Sequence, residues 1–182
     1  EIRNKIIKLR KENFSKDLPI NFRLITKILR KRKYKKKIIG GYYPYNYEAN
    51  VMPILEKFEK LNYIISLPKI AKNSSMNFFV WSTNDPLNIN EYGIPEPITN
   101  KMIFPDILLV PLVAYDKNFN RIGYGGGFYD RYLEKISRIK KCATIGLAFS
   151  HQEVNKIKFE NYDKKLDLIL TEKLIQKWKF YF

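Results

Sequence analysis

The chain has 182 residues, 45% hydrophobic and 15% aromatic, with a formal charge of +16 and a pI near 9.8. This fits one domain, residues 1–182, with a real core, and it excludes wholesale disorder. No apolar run approaches the ~20 residues that cross a bilayer, and a single cysteine (Cys142) and a single histidine (His151) exclude a disulfide framework or a cysteine-rich zinc site.

The start, EIRNKIIKLRKENF, lacks the apolar stretch and small-residue cleavage site of a secretory signal. A cytoplasmic location is therefore expected by elimination. The first residue is not Met, so a few residues are expected to precede it. Ile2, Ile6, Leu9 and Asn13 fall on one side of a first helix. Asp17 caps a second, with Pro19 in its first turn and Ile20, Leu24, Ile25 and Ile28 on its apolar face. Arg30 to Lys37 then carries seven basic residues in eight. It reads as a solvated helix end or as an anion-binding patch. Lys outnumbers Arg 26 to 8, whereas phosphate forks favour Arg, so the excess charge is weak evidence for nucleic acid.

Further along, Lys37 to Tyr43 is expected as a strand, and Asn50 as the cap of a helix running to about Lys60. Asn62 to Leu67 and Asn77 to Trp81 read as strands, and the Pro- and Asn-rich stretch Asn84 to Lys101 as an ordered loop. Ile107 to Tyr115 is a near-continuous apolar run, as in a strand covered on both faces. A helix to about Ser137 follows the glycine segment. Ala143 to Phe149, with Cys142 at its edge, and Leu168 to Thr171 complete the strands, and His151 reads as a loop residue. Strands alternating with helices predict an α/β three-layer sandwich: a mixed, largely parallel central sheet flanked by helices.

The chemistry concentrates between Asp106 and Leu133, in DILLVPLVAYDKNFNRIGYGGGFYDRYL. A buried strand leads to a turn and then to Arg121–Asp130, where four of the five residues from Gly123 to Gly127 are glycine. Without side chains, successive amides can approach a phosphate closely. The helix that follows adds unsatisfied N–H groups and a positive dipole end. Arg121 can fork onto phosphate oxygens, and Asp130 can cap amides or hold Mg²⁺. The segment matches neither Walker A nor the GxGxxG dinucleotide fingerprint. Glu48 either caps the helix after Asn50 or binds a ligand. Trp81 and Tyr92 read as stacking walls or as core aromatics and are not assigned to the site.

This pattern resembles the 5-formyltetrahydrofolate cyclo-ligase (methenyltetrahydrofolate synthetase) family. The hallmark strand stands here as LLVPLVAYD and the glycine motif as RIGYGGGFYDRYL. Ile2-Arg3 with Arg10 and Phe14-Ser15, YPYNYE from Tyr43 to Glu48, Tyr92 to Pro97, and Asp163 with Leu166 to Glu172 resemble other family segments. Phe119 stands where the family has a turn glycine, and Ile122 and Phe128 replace Leu and Tyr. The family's ATP-contacting Lys would precede residue 1.

The resemblance implies ATP-dependent closure of 5-formyltetrahydrofolate to 5,10-methenyltetrahydrofolate, through attack of the formyl oxygen on the γ-phosphate. It implies ATP binding by Arg3, Arg121, Ile122, Gly123, Tyr124, Gly125, Gly126, Gly127, Phe128 and Tyr129. It implies folate binding by Tyr43, Glu48 and Tyr124 to Phe128, and Mg²⁺ at Asp130 and Asp167. No protein nucleophile is needed; Arg121 and Tyr129 would position the substrates. A monomer is expected, with no membrane and no nucleic-acid partner. Two other readings stay open: another ATP-dependent enzyme on the same scaffold, and a basic nucleic-acid-binding module.

Overall fold

A computed structural model of the chain describes residues 2–14, 22, 25, 26, 38–71 and 75–173, with the backbone of 175 and 176. The expected second helix, Phe22, Ile25 and Thr26 apart, and the basic run 30–37 lie outside the described residues.

The first elements are α1 (Ile2–Glu12), β1 (Ile38–Gly40), α2 (Met52–Lys60), β2 (Ile64–Ile70) and β3 (Met76–Val80). Then come β4 (Leu87–Ile89), β5 (Pro95–Pro97), β6 (Met102–Ile103), β7 (Ile107–Pro111), β8 (Ala114–Tyr115) and β9 (Arg121–Ile122). The last are α3 (Phe128–Ile139), β10 (Ala143–Leu147), a 3-10 turn (Ser150–Gln152), β11 (Leu168–Leu170) and β12 (Ile175–Gln176).

One sheet has the order β12-β11-β10-β7-β1-β2-β3-β6. Its five strands from β11 to β2 run parallel, while β12 pairs antiparallel with β11, β3 with β2 and β6 with β3. The central strand β7 explains the apolar run: Ile107 and Leu109 face one core, Leu108 and Val110 the other. Ile54, Leu55 and Phe58 of α2 cover the first face; Tyr132, Leu133 and Ile136 of α3 cover the second. Each large apolar side chain so buried contributes roughly 1.5–3 kcal/mol. The predicted sandwich with a mixed, largely parallel sheet is what forms. Asn50 does assist the start of α2, its Oδ1 accepting from the Met52 amide at 3.1 Å.

Two segments differ from expectation. Ile107 to Tyr115 is not one strand. Gln152 and Arg10 both donate to the Leu112 carbonyl, and the Val113 amide donates to Ile122 at 2.7 Å, so the chain leaves the main sheet and β8 pairs with β9. Asn84 to Lys101 is not merely a loop, because β4 and β5 form a separate antiparallel hairpin. Its strand β5 begins and ends with proline, a residue depleted in strands, which hid it. Asn90 organises the turn by accepting from the Tyr92 and Ile94 amides.

Between β8 and β9, Phe119 adopts φ 63, the left-handed region that glycine occupies without penalty. Buried Asp116 secures that turn, accepting from the Asn118 and Asn120 amides, the Asn120 side chain and the Ile157 amide. Burial pushes its carboxyl up, but these hydrogen bonds outweigh burial and hold it below the usual carboxylate range.

The topology locates the site. The chain leaves β1 towards β2 on one side and leaves β7 towards β10 on the other, while β1 and β7 are neighbours. Their carboxyl ends therefore diverge and open a crevice, the usual ligand position in open α/β sheets.

Candidate active site

A cavity of about 840 Å³ opens at those carboxyl ends. Tyr42, Tyr43, Tyr45 and Glu48 line it from the segment after β1, and residues 121–131 line it from the glycine loop and α3. Asn90, Tyr92, Ile94 and Glu96 of the β4–β5 hairpin supply a further wall. Glu96 ties that wall to the main sheet, accepting from the Ile70 amide at 2.8 Å and from Asn90 at 2.7 Å.

The glycine loop takes backbone shapes that side chains resist. Gly125 has φ 100, and Gly127, the residue capping α3, has φ 65. Two guanidinium groups close over it. A Cβ on Gly125 would lie 3.3 Å from Nη1 of Arg3, and one on Gly127 would lie 2.7 Å from Nη1 of Arg131. Arg3 Nε donates to the Gly123 carbonyl at 2.8 Å, and Arg131 Nη2 donates to the Gly126 carbonyl at 2.9 Å. The first N–H groups of α3 have no intrahelical acceptor. A short cradle with two arginines and a helix N-terminus thus faces the cavity.

Arg121 stands differently from the expected phosphate fork. Its guanidinium, 5% exposed, donates to Asp130 Oδ1 at 2.8 Å and to the Lys164 carbonyl. The Lys164 amide donates to the same Oδ1 at 3.0 Å. Both of these bonds to Asp130 fall on Oδ1, and Asp130 lines the cavity. Ile122 lies in β9 beside the loop, and Phe128 and Tyr129 begin α3. The Tyr129 hydroxyl is raised well above its usual value by burial and by the charge of Glu48.

Asp167 lies elsewhere. It precedes β11, at the opposite end of the sheet from the cavity. Its Oδ2 accepts from the Thr144 amide at 2.8 Å and the Thr144 hydroxyl at 3.2 Å, and it does not line the cavity. The acid between apolar neighbours has a structural reason: it joins β10 to β11 beyond the end of their ladder. Among the described residues, no group of three or more His, Cys, Asp or Glu side chains could hold a metal. Asp130, at the glycine loop, is a carboxylate of the kind that shares a magnesium ion with bound phosphates.

Glu48 is the buried acid of the cavity, 5% exposed. It does not cap α2; its Oε2 accepts from the Tyr45 amide at 2.9 Å, within its own turn. Burial pushes its carboxyl up to about 7, against the lowering effects of the Tyr45 amide and of the Arg10 charge. Tyr43 lines the same wall, half-buried. Of the aromatics left unassigned, Trp81 is core, with its Nε1 donating to the Asp85 carbonyl at 3.2 Å. Tyr92 is a wall residue, edge-on to Phe128 with ring centroids 6.0 Å apart.

A three-layer α/β domain with a glycine-loop cradle and a buried acid at its switch-point crevice has the architecture of a ligand-binding enzyme domain. Comparison with known proteins sharpens that class. The pattern of the 5-formyltetrahydrofolate cyclo-ligase family matches residues 1–172. The 5-formyltetrahydrofolate cyclo-ligase of Haemophilus influenzae is 33% identical over 142 residues, covering 74% of this chain and 75% of that one. The enzyme of that name from Mycoplasma genitalium is 32% identical over 157 residues, covering 85% and 82%. The solved structure of Aquifex aeolicus 5,10-methenyltetrahydrofolate synthetase superposes with a TM-score of 0.75 at 26% identity, covering 98% of this chain and 91% of that one. That of the Mycoplasma pneumoniae 5,10-methenyltetrahydrofolate synthetase gives 0.67 at 25%, covering 94% and 97%. The chain belongs to the 5-formyltetrahydrofolate cyclo-ligase family. Among the described residues, no helix is long and apolar enough to cross a membrane.

Proposed function

We propose that the chain closes 5-formyltetrahydrofolate to 5,10-methenyltetrahydrofolate at the expense of ATP, releasing ADP and phosphate. The observation that carries this is one cavity with an anion cradle on one side and a buried acid on the other. The ATP phosphates lie along Gly123–Gly127 under Arg3 and Arg131, with Ile122, Phe128 and Tyr129 shaping the loop ends. Magnesium binds at Asp130, where it would neutralise phosphate charge. Arg121 fixes the orientation of Asp130. Asp167 is given no part, since its carboxylate is engaged with Thr144.

The folate enters from the Tyr43 and Glu48 side, with Glu48 accepting from pterin nitrogens. Its formyl oxygen meets the terminal phosphate beside Tyr124 to Phe128. The formyl oxygen bonds to phosphorus as ADP departs. Nitrogen-10 then attacks the activated carbon and loses its proton, and phosphate leaves. No protein nucleophile enters this sequence, so the residues act by positioning and charge stabilisation. The same reading takes the active form to be a monomer. The test is to mix protein, Mg–ATP and 5-formyltetrahydrofolate and follow methenyl absorbance. Product only when all are present supports the reading; no product under any condition overturns it.

A further inference from the structure

α1 carries a charge deep into the molecule. Arg10 is 0% exposed, one turn beyond buried Ile6. Its Nη1 donates to the Leu112 carbonyl at 3.2 Å. Its Nη2 donates to the Asn46 carbonyl and to the Tyr124 hydroxyl. Its Cζ lies 5.6 Å from the Tyr124 ring centroid. One guanidinium therefore touches the end of β7, the turn that aims Glu48, and the glycine loop. None of its hydrogen-bond partners among the described residues is an acid. Burying a cation on neutral acceptors is costly, and an aliphatic residue would pack there without that penalty.

The turn it grips is strained. Asn46 and Tyr47 stand at φ 49 and 62, consecutive non-glycine residues in the left-handed region. Such backbone persists where its surroundings over-determine it. Here the Arg10 bond to Asn46 and the reciprocal Tyr45–Glu48 bonds do so. Tyr45 also meets Tyr124 edge-on, with ring centroids 5.9 Å apart.

We infer that Arg10 is a positioning residue that locks the Glu48 turn and the glycine loop into one frame, so that the two substrates meet in register. The inference rests on the folate and ATP roles proposed above. Its charge has a second consequence. The groups acting on Glu48 or facing it are Arg10 from α1, Tyr42 after β1, the Tyr45 amide, Tyr124 from the glycine loop and Tyr129 from α3. Arg10 is the cation among them, and it favours ionised Glu48.

The test compares parent, Arg10→Met, Arg10→Lys and Tyr124→Phe. Hydrogen exchange needs no turnover. In Arg10→Met, residues 44–48 and 123–127 should exchange at least about tenfold faster together, while the centre of α3 stays protected. In turnover, kcat/KM for the folate should rise with pH as Glu48 ionises. Arg10→Met should move that rise upward by about one pH unit, an about tenfold loss at pH 6, with a smaller change in KM for ATP. Arg10→Lys keeps the charge and should keep the pH profile, but lose kcat severalfold. Tyr124→Phe should do the same. Arg10→Met with parental exchange in either segment, or with a parental pH profile, overturns the inference. If Arg10→Met does not fold, Arg10→Lys with parental kcat overturns it. A parent that makes no methenyl product sinks the enzyme reading instead, and leaves the exchange result to decide the frame.

Discussion

Arg121 clamps Asp130: Nη2 stands 2.8 Å from Oδ1, and the Lys164 amide shares that oxygen at 3.0 Å. The carboxylate is thereby held in place at the cavity wall. Asp130→Asn should raise the magnesium concentration for half-maximal rate by about 10–100-fold. Asp167→Asn should leave that value unchanged and cost about 1 kcal/mol of stability, because Thr144 then donates to a neutral amide oxygen instead of a carboxylate. Magnesium titrations of the rate and denaturant unfolding separate the two acids. A matching rise in magnesium requirement for Asp167→Asn would return it to the metal site.

Gly125 has both an unusual backbone and a crowded neighbour, with φ 100 and Arg3 3.3 Å from any added Cβ. Gly125→Val should strain the loop by about 1–3 kcal/mol and displace Arg3. The expected result is an ATP KM raised about tenfold or more, with a fall in Tm of roughly 2–12 °C from the strain. Calorimetric titration with Mg–ATP checks it; parental affinity would remove the phosphate cradle from the mechanism.

Glu48 links activity to stability with opposite signs. Its folded carboxyl is raised to about 7, above the value of 4.5 expected when exposed. The stabilising effect of its protonated form is complete below pH 4.5 and is lost as pH rises through 7. Glu48→Gln should therefore match the parent near pH 4 and exceed it by on the order of 2–3 kcal/mol above pH 7. The same substitution should raise the folate KM more than the ATP KM. Urea unfolding at several pH values, with both KM values, tests the pair of effects.

Asp116 is the structural counterpart. Asp116→Ala removes four hydrogen bonds of a fully buried side chain from the turn that holds Phe119 at φ 63. A loss of about 2–4 kcal/mol is expected, or roughly 5–15 °C in Tm. Thermal unfolding measures it, and a change below 2 °C would show that the turn holds itself.

Periodicity and glycine content made the sandwich, the central strand β7 and the glycine loop readable before any coordinates. Three features were hidden, for different physical reasons. The β4–β5 hairpin has prolines at both ends of β5, so its composition resembles a loop although side chains of Asn90 and Glu96 hold it. Asp167 sits in a family-like motif, and only the Thr144 contact across two strands assigns it to the sheet. Arg10 was legible as part of a family-like helix, but without a role. Its spacing of four from Ile6 was a usable signal, since both fall on the buried face. What no local pattern could reveal is that its partners lie 36, 102 and 114 residues away.

The diverging crossovers of β1 and β7 mean that the proposed grips on the two reactants come from stretches with α2 and β2 to β9 between them in the chain. Neither grip exists until the sheet has assembled around β7. A nascent or partly unfolded chain should thus hold neither ATP nor folate, and catalytic competence should appear in a single step with the fold itself.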